Sequence, residues 1–218
     1  MARNKHHRER SASKLKRKHG RRPPYPRILI VCEGRKTEPQ YFEEIRIRNR
    51  IPSAHIRVVH AAHGTEPRQV VNFAESTFRA AKAYEQIYAV FDRDEHRTYH
   101  EALGRAQALN GNLRNDEKRP VTFTAIASVP CFELWLLIHF VEIHAYFERD
   151  VILRRLREHI PPYVKGMTDV FTITEFRLAD ATQRAGALQQ RFNPFSGTDP
   201  YTNVNALVTL LRSLRPAQ

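Results

Sequence analysis

Cysteine is scarce in this chain, because Cys32 and Cys131 are the only two among 218 residues. Two cysteines cannot form the disulfide framework that is typical of small secreted proteins, so we expect a protein of the reducing cytoplasm. Neither cysteine stands at zinc-ligand spacing from the eleven histidines, which argues against a structural zinc site. With no catalytic partner identifiable in the sequence, Cys131 is interpreted as a buried thiol.

Long hydrophobic runs are also lacking. The longest, Leu134 to Val141, is interrupted by His139, whereas a membrane-spanning helix needs about 20 apolar residues. The N-terminus has no apolar segment of the kind found in secretory signals. We therefore expect no membrane partner and a cytoplasmic location.

Three phosphate- or metal-binding loops are excluded by their residues. Gly34-Arg35-Lys36-Thr37 resembles the end of a P-loop, but its lysine comes one residue late and Leu29 stands where the first glycine should be. The chain has no dinucleotide-binding fingerprint. The stretch from Asp92 to Arg97 fails as a calcium loop, since its sixth position is arginine rather than glycine.

Positive charge, in contrast, is abundant and concentrated at the N-terminus. The net charge is +13, and residues 1–27 account for +10 of it, with eleven Lys and Arg against Glu9 alone. We interpret residues 1–26 as a basic arm that is disordered on its own and contacts nucleic acid. A solvated leader without a partner is the alternative. The candidate arm contacts are Lys14, Lys16, Arg17, Lys18, Arg21 and Arg22.

Strand and helix patterns alternate over residues 27–145. Apolar runs predict strands at 28–32, 55–60, 86–91 and 121–127. Helical spacing predicts helices at 37–50, 66–84, 98–110 and 132–140 and, over residues 146–218, at 149–160, 173–191 and 203–214. This order predicts an α/β fold with a mostly parallel sheet flanked by helices, and a helical C-terminal extension packed on that core.

Acidic residues follow three of the predicted strands. Glu33 comes after the first strand, Asp92 and Asp94 after the third, and Glu133 with Ser128 just past the fourth. Ligands of open α/β sheets bind at the carboxyl ends of the strands, so these acids should meet at one edge. Asp92 and Asp94 should point the same way if their segment is extended. Such a carboxylate set suits Mg²⁺, and Gly34 would let a phosphate approach closely.

Four sequence blocks carry a resemblance to a known family: VCEGRKTEPQYF, VFDRDEH, SVPCFELWLLIHF and YTNVNALV. A strand ending in Glu-Gly and a later strand ending in Asp-x-Asp resemble the TOPRIM domain of topoisomerases, bacterial primases and OLD-type nucleases. All four blocks together resemble the RloB-like proteins, over roughly residues 27–215. The PCFELWLL segment is the most specific part of this resemblance.

The resemblance implies a TOPRIM/Rossmann-like core and a Mg²⁺- or Mn²⁺-dependent enzyme acting on nucleic acid. It also implies a role in bacterial anti-phage abortive infection, often beside a partner ATPase. Residue by residue, it makes Glu33 the TOPRIM glutamate and Asp92 and Asp94 the metal-binding aspartates, while the roles of Glu38 and Glu133 are less settled. Two departures matter: no topoisomerase tyrosine can be placed, and the chain has no ATPase motif.

The leading hypothesis is a nuclease that hydrolyses RNA or DNA phosphodiesters. Its catalytic residues would be Glu33, Asp92, Asp94 and Glu133, its metal ligands Glu33, Asp92, Asp94 and Glu38, and its substrate-binding residues Gly34, Arg35 and Lys36. His96, Lys165 and Arg177 are weaker candidates for acid–base or substrate contacts. A non-catalytic nucleic-acid-binding module and a primase-like nucleotidyl transferase are the alternatives. Glu133 as a helix N-terminal charge and Lys36 as a solvent-facing residue also stay open, as do the number of metal ions and a homodimer.

Overall fold

A computed structural model describes residues 25–62, 64, 66–195 and 199–214 of the chain. Its centre is a five-stranded sheet in the order β2-β1-β3-β4-β5, in which the first four strands run parallel and β5 runs antiparallel to β4. The strands are β1 Ile28–Cys32, β2 Ile56–His60, β3 Gln86–Asp92, β4 Thr122–Val129 and β5 Tyr201–Thr202.

Helices follow most of the strands and continue alone towards the C-terminus. They are α1 Thr37–Arg48, α2 Pro67–Ala81, α3 Tyr99–Leu109, α4 Glu133–Leu137, α5 Arg149–His159, α6 Val170–Thr174, α7 Leu178–Arg191 and α8 Val204–Ser213, with a 3-10 turn at Glu175–Arg177. The predicted fold class, a mostly parallel sheet flanked by helices with a helical C-terminal part, is confirmed.

The sheet is covered on both faces, which explains why β1 is apolar throughout. Ile28 and Ile30 of this strand contribute to one hydrophobic cluster, and Leu29 and Val31 contribute to the other. Alternate side chains of a strand point to opposite faces, so a strand covered on both sides needs an apolar residue at every position. All five residues of β1 are buried.

The C-terminal helices pack on the same side of the sheet as α1. Residues of β1, α1, α5, α7 and α8 belong to one continuous cluster of buried side chains. Within it, the indole Nε1 of Trp135 donates a hydrogen bond of 2.8 Å to the hydroxyl of Tyr41, which joins α4 to α1. The helices after residue 146 therefore share their core with the sheet rather than enclosing a second core.

The structure differs from the sequence-based assignments at several elements; the helix expected over 132–140, for example, is the shorter α4, Glu133–Leu137. The helix expected over 173–191 is divided into α6, a 3-10 turn and α7. The short strand β5 was not predicted, because two residues carry no periodic pattern. Strand β4 continues to Val129, so Ser128 lies inside it, where its hydroxyl hydrogen-bonds the Thr202 hydroxyl of β5 at 3.1 Å.

The predicted basic arm lies almost entirely outside the described residues, since its arginines and lysines all precede Tyr25. Tyr25 itself lies against the start of β2: its carbonyl oxygen is 3.0 Å from Nδ1 of His55, and the two rings meet edge to face. Among the residues that are described, no helix has both the length and the apolar character needed to cross a membrane.

Candidate functional site

The carboxyl ends of β1 and β3 bring Glu33 and Asp92 together. The two strands are neighbours in the sheet, and the pairing continues one residue past β1, where the Glu33 amide donates to the Val90 carbonyl at 2.9 Å. The side chain of Glu33 then turns across the edge, and its Oε2 accepts a hydrogen bond of 3.0 Å from the Asp92 amide. Sequence positions 59 residues apart thus meet at one edge, as the sequence predicts.

A pocket of about 260 Å³ opens at this edge and holds acids and bases side by side. Its acidic lining residues are Glu33, Glu38, Asp92 and Glu133, and its basic lining residues are Arg35, Lys36, Arg149 and Lys165. The sequence analysis named eleven residues as catalytic, metal-binding or substrate-binding or as weaker candidates, and eight of them line this pocket. Asp94 and His96 each contact a lining residue, and Arg177 lies elsewhere.

The absence of a side chain at Gly34 makes room for the carboxylate of Glu38. A Cβ atom built on Gly34 would lie 2.1 Å from Oε2 of Glu38, far inside van der Waals contact. Glu38 belongs to the first turn of α1 and is only 6% exposed. Gly34 therefore matters in this structure because it leaves space for an acid of the pocket, which is a different reason from the phosphate approach expected from the sequence.

Burial and mutual repulsion raise the pKa of three carboxyl groups in the pocket. Burial raises the pKa of Glu38 to about 7, with the charges of Glu133 and Glu33 adding to the effect. Burial also raises the pKa of Glu33. The pKa of Asp92, which is 5% exposed, is raised well above its ordinary value by burial and then by its acidic neighbours. Without a further cation, these carboxyl groups therefore tend to keep their protons at pH values where an exposed carboxyl group would be ionised.

Asp94 lies at the margin of this cluster. The expectation that it points the same way as Asp92 was wrong in its premise, because β3 ends at Asp92 and Asp94 has a positive φ of 37°. Its carboxylate forms an ion pair with the guanidinium of Arg149. Burial raises the pKa of Asp94, while Arg149, His96 and Lys165 act in the opposite direction.

Glu133 and His96 each contact another member of the site. Glu133 is buried in the first turn of α4, and its Oε1 accepts a hydrogen bond of 3.2 Å from the hydroxyl of Tyr163. His96 lies beside Glu33, with Nε2 at 3.3 Å from Oε1. Glu133 thus combines the helix N-terminal position with a place in the pocket, so the two interpretations of it are compatible.

A loop from the C-terminal part of the chain covers the β1–α1 turn. The amide of Gly166 donates to the Thr37 hydroxyl at 3.1 Å, and a Cβ on Gly166 would lie 2.9 Å from Cβ of Lys36. Gly166 also has a φ of 81°, which favours glycine. This close contact brings the neighbouring Lys165 to the pocket.

Arg149 and Tyr163 were missed by the sequence analysis, because they lie far along the chain from the acidic blocks and in no motif of their own. Arg177, a weaker candidate for substrate contact, lies elsewhere, with its guanidinium over the ring of Phe140.

Both cysteines are buried free thiols, and burial raises the pKa of each well above its ordinary value. Neither is suited to act as a nucleophile.

The pocket has the donor atoms that a divalent metal ion prefers, but they are not arranged as a metal site. Over the described ranges, no group of three or more His, Cys, Asp and Glu side chains is arranged to hold a metal ion. Glu33 is turned to the Asp92 amide and to His96, and Asp94 is held by Arg149. The donor chemistry nevertheless suits Mg²⁺, since hard carboxylate oxygens from three chain segments share one pocket and repel one another.

Comparison with known proteins identifies one family. A model of the family described as RloB-like protein matches residues 28–211, which is most of the chain and includes every residue that lines the acidic pocket. No curated protein and no solved structure matches the chain.

Proposed function

The chain belongs to the RloB-like protein family, and from the residues of its pocket we propose that it is a metal-dependent phosphodiesterase acting on nucleic acid. The observation that carries this proposal is the meeting of four carboxylates and four cationic side chains in one pocket at the carboxyl edge of the sheet. Carboxylates suit a divalent cation, and cations suit the phosphate oxygens of a substrate.

The metal ion would be held by Asp92 and Glu38, with Glu33 and Glu133 within the same pocket. When bound, Mg²⁺ or Mn²⁺ would supply polarisation of the phosphoryl group and a water of lowered pKa. The raised pKa of Glu38 and of Asp92 supports this assignment, because a divalent cation would relieve the repulsion that raises them. Asp94 would be a ligand only after release from Arg149.

The protein's own cations would position the substrate. Arg35 and Lys36 are exposed at the start of α1, and Lys165 faces them from the C-terminal loop. These three cationic side chains line the same pocket as the acids. A phosphate bound between the three cations would therefore lie next to the carboxylates. Glu33 and His96, 3.3 Å apart, form an acid–base pair that can accept a proton from an attacking water.

One assay with controls tests this proposal. Labelled RNA and DNA, single-stranded and duplex, are incubated with the protein in Mg²⁺, Mn²⁺ or EDTA. We expect metal-dependent cleavage that is lost in Asp92→Asn and retained in Asp180→Asn, a control acid exposed on α7. Binding without cleavage, unchanged in Asp92→Asn, would instead support the nucleic-acid-binding module. When nucleoside triphosphates are added to the same mixture, a product longer than the labelled strand would support the nucleotidyl transferase.

The defence role and the partner ATPase are proposed from the family resemblance. We expect cells that carry the protein, together with its neighbouring genes, to resist phage infection, and cells with Asp92→Asn to lose that resistance. Equal resistance in both would contradict a catalytic role in defence. Gel filtration of the full chain, alone and with the product of a neighbouring ATPase gene, would show whether either a homodimer or that complex forms.

A further inference from the structure

A row of planar side chains lies on the surface and is formed by the end of α5, the segment that follows α4 and the 3-10 turn at Glu175–Arg177. The rings of Phe140 and His159 are parallel within 2° at a centroid distance of 4.9 Å. The guanidinium of Arg177 lies 5.4 Å from the centroid of Phe140 and 5.2 Å from that of Phe176. These four residues, His159, Phe140, Arg177 and Phe176, are called the aromatic row.

Both ends of the aromatic row are open to solvent. Phe176 is 74% exposed, the highest value among the large hydrophobic side chains of the described residues, and His159 is also exposed. A phenylalanine so exposed buries only a minor part of its surface against the fold, so the core gains little from it. In addition, the Nε of Arg177 is buried without a hydrogen-bond partner in the part of the chain that the structure describes.

Helix α5 connects the aromatic row with the candidate active site. The helix begins at Arg149, which lines the acidic pocket, and ends at His159, which belongs to the row. At 1.5 Å per residue the two ends lie about 15 Å apart, which is roughly four nucleotides at the stacked spacing of 3.4 Å. Arg155, four residues before His159 and on the same helix face, stacks over the ring of Phe147 at 4.9 Å.

This combination is selective for one class of ligand. Exposed flat rings interleaved with guanidinium groups stack on nucleobases, through π-contacts and cation–π contacts that do not depend on the base. Bases of a duplex are already stacked and paired, so their faces are covered. A purely apolar partner would leave Arg177 and His159 desolvated without compensation.

We infer that the aromatic row is a stacking platform for unpaired bases of single-stranded nucleic acid, a few nucleotides away from the phosphate held in the acidic pocket. The inference rests on the proposed function, since it names the strand type of the same substrate. Phe176 and His159 present the faces on which bases stack, and Arg177 and Phe140 hold those faces in place.

The test measures binding without cleavage. The full chain is titrated in EDTA into fluorescein-labelled 12-nucleotide strands and matching duplexes, and into single strands carrying 2-aminopurine. We expect Phe176→Ala to weaken single-strand binding roughly tenfold, the scale of one lost base stack, and to abolish the quenching of 2-aminopurine. Phe176→Tyr should retain both. Duplex affinity should not change, because duplex bases do not reach the platform.

Phe195→Ala is the matched control, since Phe195 is also an exposed aromatic stacked on a histidine, His100, elsewhere on the surface. Three results would overturn the inference: full single-strand affinity in Phe176→Ala, an equal loss of single-strand affinity in Phe195→Ala, and an equal loss of duplex affinity in Phe176→Ala. So would a change of oligomeric state in Phe176→Ala, which would make the row an interface between proteins. Binding is measured in EDTA, so a loss of single-strand affinity in Phe176→Ala supports the platform even if the chain cleaves no nucleic acid. Normal cleavage together with unchanged single-strand affinity in Phe176→Ala refutes the platform and leaves the proposed function standing.

Discussion

The guanidinium of Arg149 is ion-paired with the carboxylate of Asp94, an acid that the sequence analysis assigned to a metal ion. Arg149 is the first residue of α5, and Asp94 follows β3. Burial lowers the pKa of Arg149, but Asp94, Glu133 and Asp92 together raise it above its ordinary value. The protein thus supplies its own cation to the acidic edge, and a divalent ion bound there would compete with that cation for the same carboxylate.

Replacing Arg149 should therefore tighten metal binding. We expect Arg149→Met to lower the dissociation constant for Mn²⁺ roughly tenfold, equivalent to about 1.4 kcal/mol, because one positive charge leaves the cluster. Isothermal titration calorimetry with Mn²⁺ measures the change. Arg154→Met removes an exposed arginine of the same helix and should leave the constant unaltered. Weaker Mn²⁺ binding in Arg149→Met would show that Arg149 orders the acids rather than competing for them.

A methyl group at position 34 should disturb the pocket without unfolding the protein. In Gly34→Ala the new Cβ would displace the Glu38 carboxylate, which otherwise lies 2.1 Å from that position. We expect Mn²⁺ affinity and any metal-dependent cleavage to fall at least tenfold, with a loss of about 1 kcal/mol or less in the free energy of unfolding. Gly104→Ala, in the exposed face of α3 with nothing within 4 Å of its new Cβ, should keep full affinity and gain about 0.5–1 kcal/mol of stability. Unchanged Mn²⁺ affinity in Gly34→Ala would remove Glu38 from the ligand set.

The metal-free protein should become less stable as the pH rises towards 7. Burial raises the pKa of Glu38 from 4.5 to about 7, so between those values the folded state binds more protons than the unfolded state. The protonated Glu38 side chain therefore contributes to the free energy of unfolding. This contribution is fully present below pH 4.5 and is lost as the pH rises through 7, at a total of about 3 kcal/mol. Urea unfolding in EDTA at several pH values measures it. Glu38→Gln should be more stable than the wild type above pH 7 in EDTA, and Mg²⁺ should close the difference. A wild type whose stability does not fall over this range would contradict the charge assignment.

A buried histidine should oppose folding in acid. His139 is fully buried, its Nδ1 lies 2.9 Å from the Trp135 carbonyl oxygen, and burial lowers its pKa to about 4. Because the unfolded chain takes up this proton near pH 6.5, stability should be complete above that value and fall towards pH 4, by up to about 1.4 kcal/mol per pH unit.

A substitution separates the contribution of His139 to the pH dependence of stability from the contributions of other groups. His139→Asn keeps a donor near the carbonyl but cannot titrate, so the pH dependence of its urea unfolding between pH 4 and 6.5 should be shallower by about one proton. His60→Asn, at an exposed position at the end of β2, is the control and should follow the wild type. Parallel curves for His139→Asn and the wild type would mean that the acid sensitivity comes from other groups.

The candidate site could be predicted from sequence as far as its residues follow strands. Glu33 and Asp92 are placed by local patterns, since a buried strand reads as an apolar run and parallel strands end at the same edge. The direction of Asp94 could not be predicted, because one residue of positive φ turns the chain away after β3. Arg149 lines the pocket and Tyr163 donates to Glu133 through contacts between segments that are distant in sequence, and no local periodicity reports such contacts. Lys165, which the sequence analysis named only as a weaker candidate, reaches the pocket in the same way.

The amino-acid sequence by itself determined the alternation of strands and helices, the family blocks and the position of the acids behind apolar strands, because these depend on side-chain periods of two and 3.6 residues along a short segment. Tertiary structure alone decided which charges meet. The packing of α5 and of the loop at Gly166 against the sheet edge places Arg149 on Asp94 and Lys165 beside the carboxylates. The physical reason is that electrostatic interactions depend on distance through space, which hydrophobic burial sets only when the whole chain has folded.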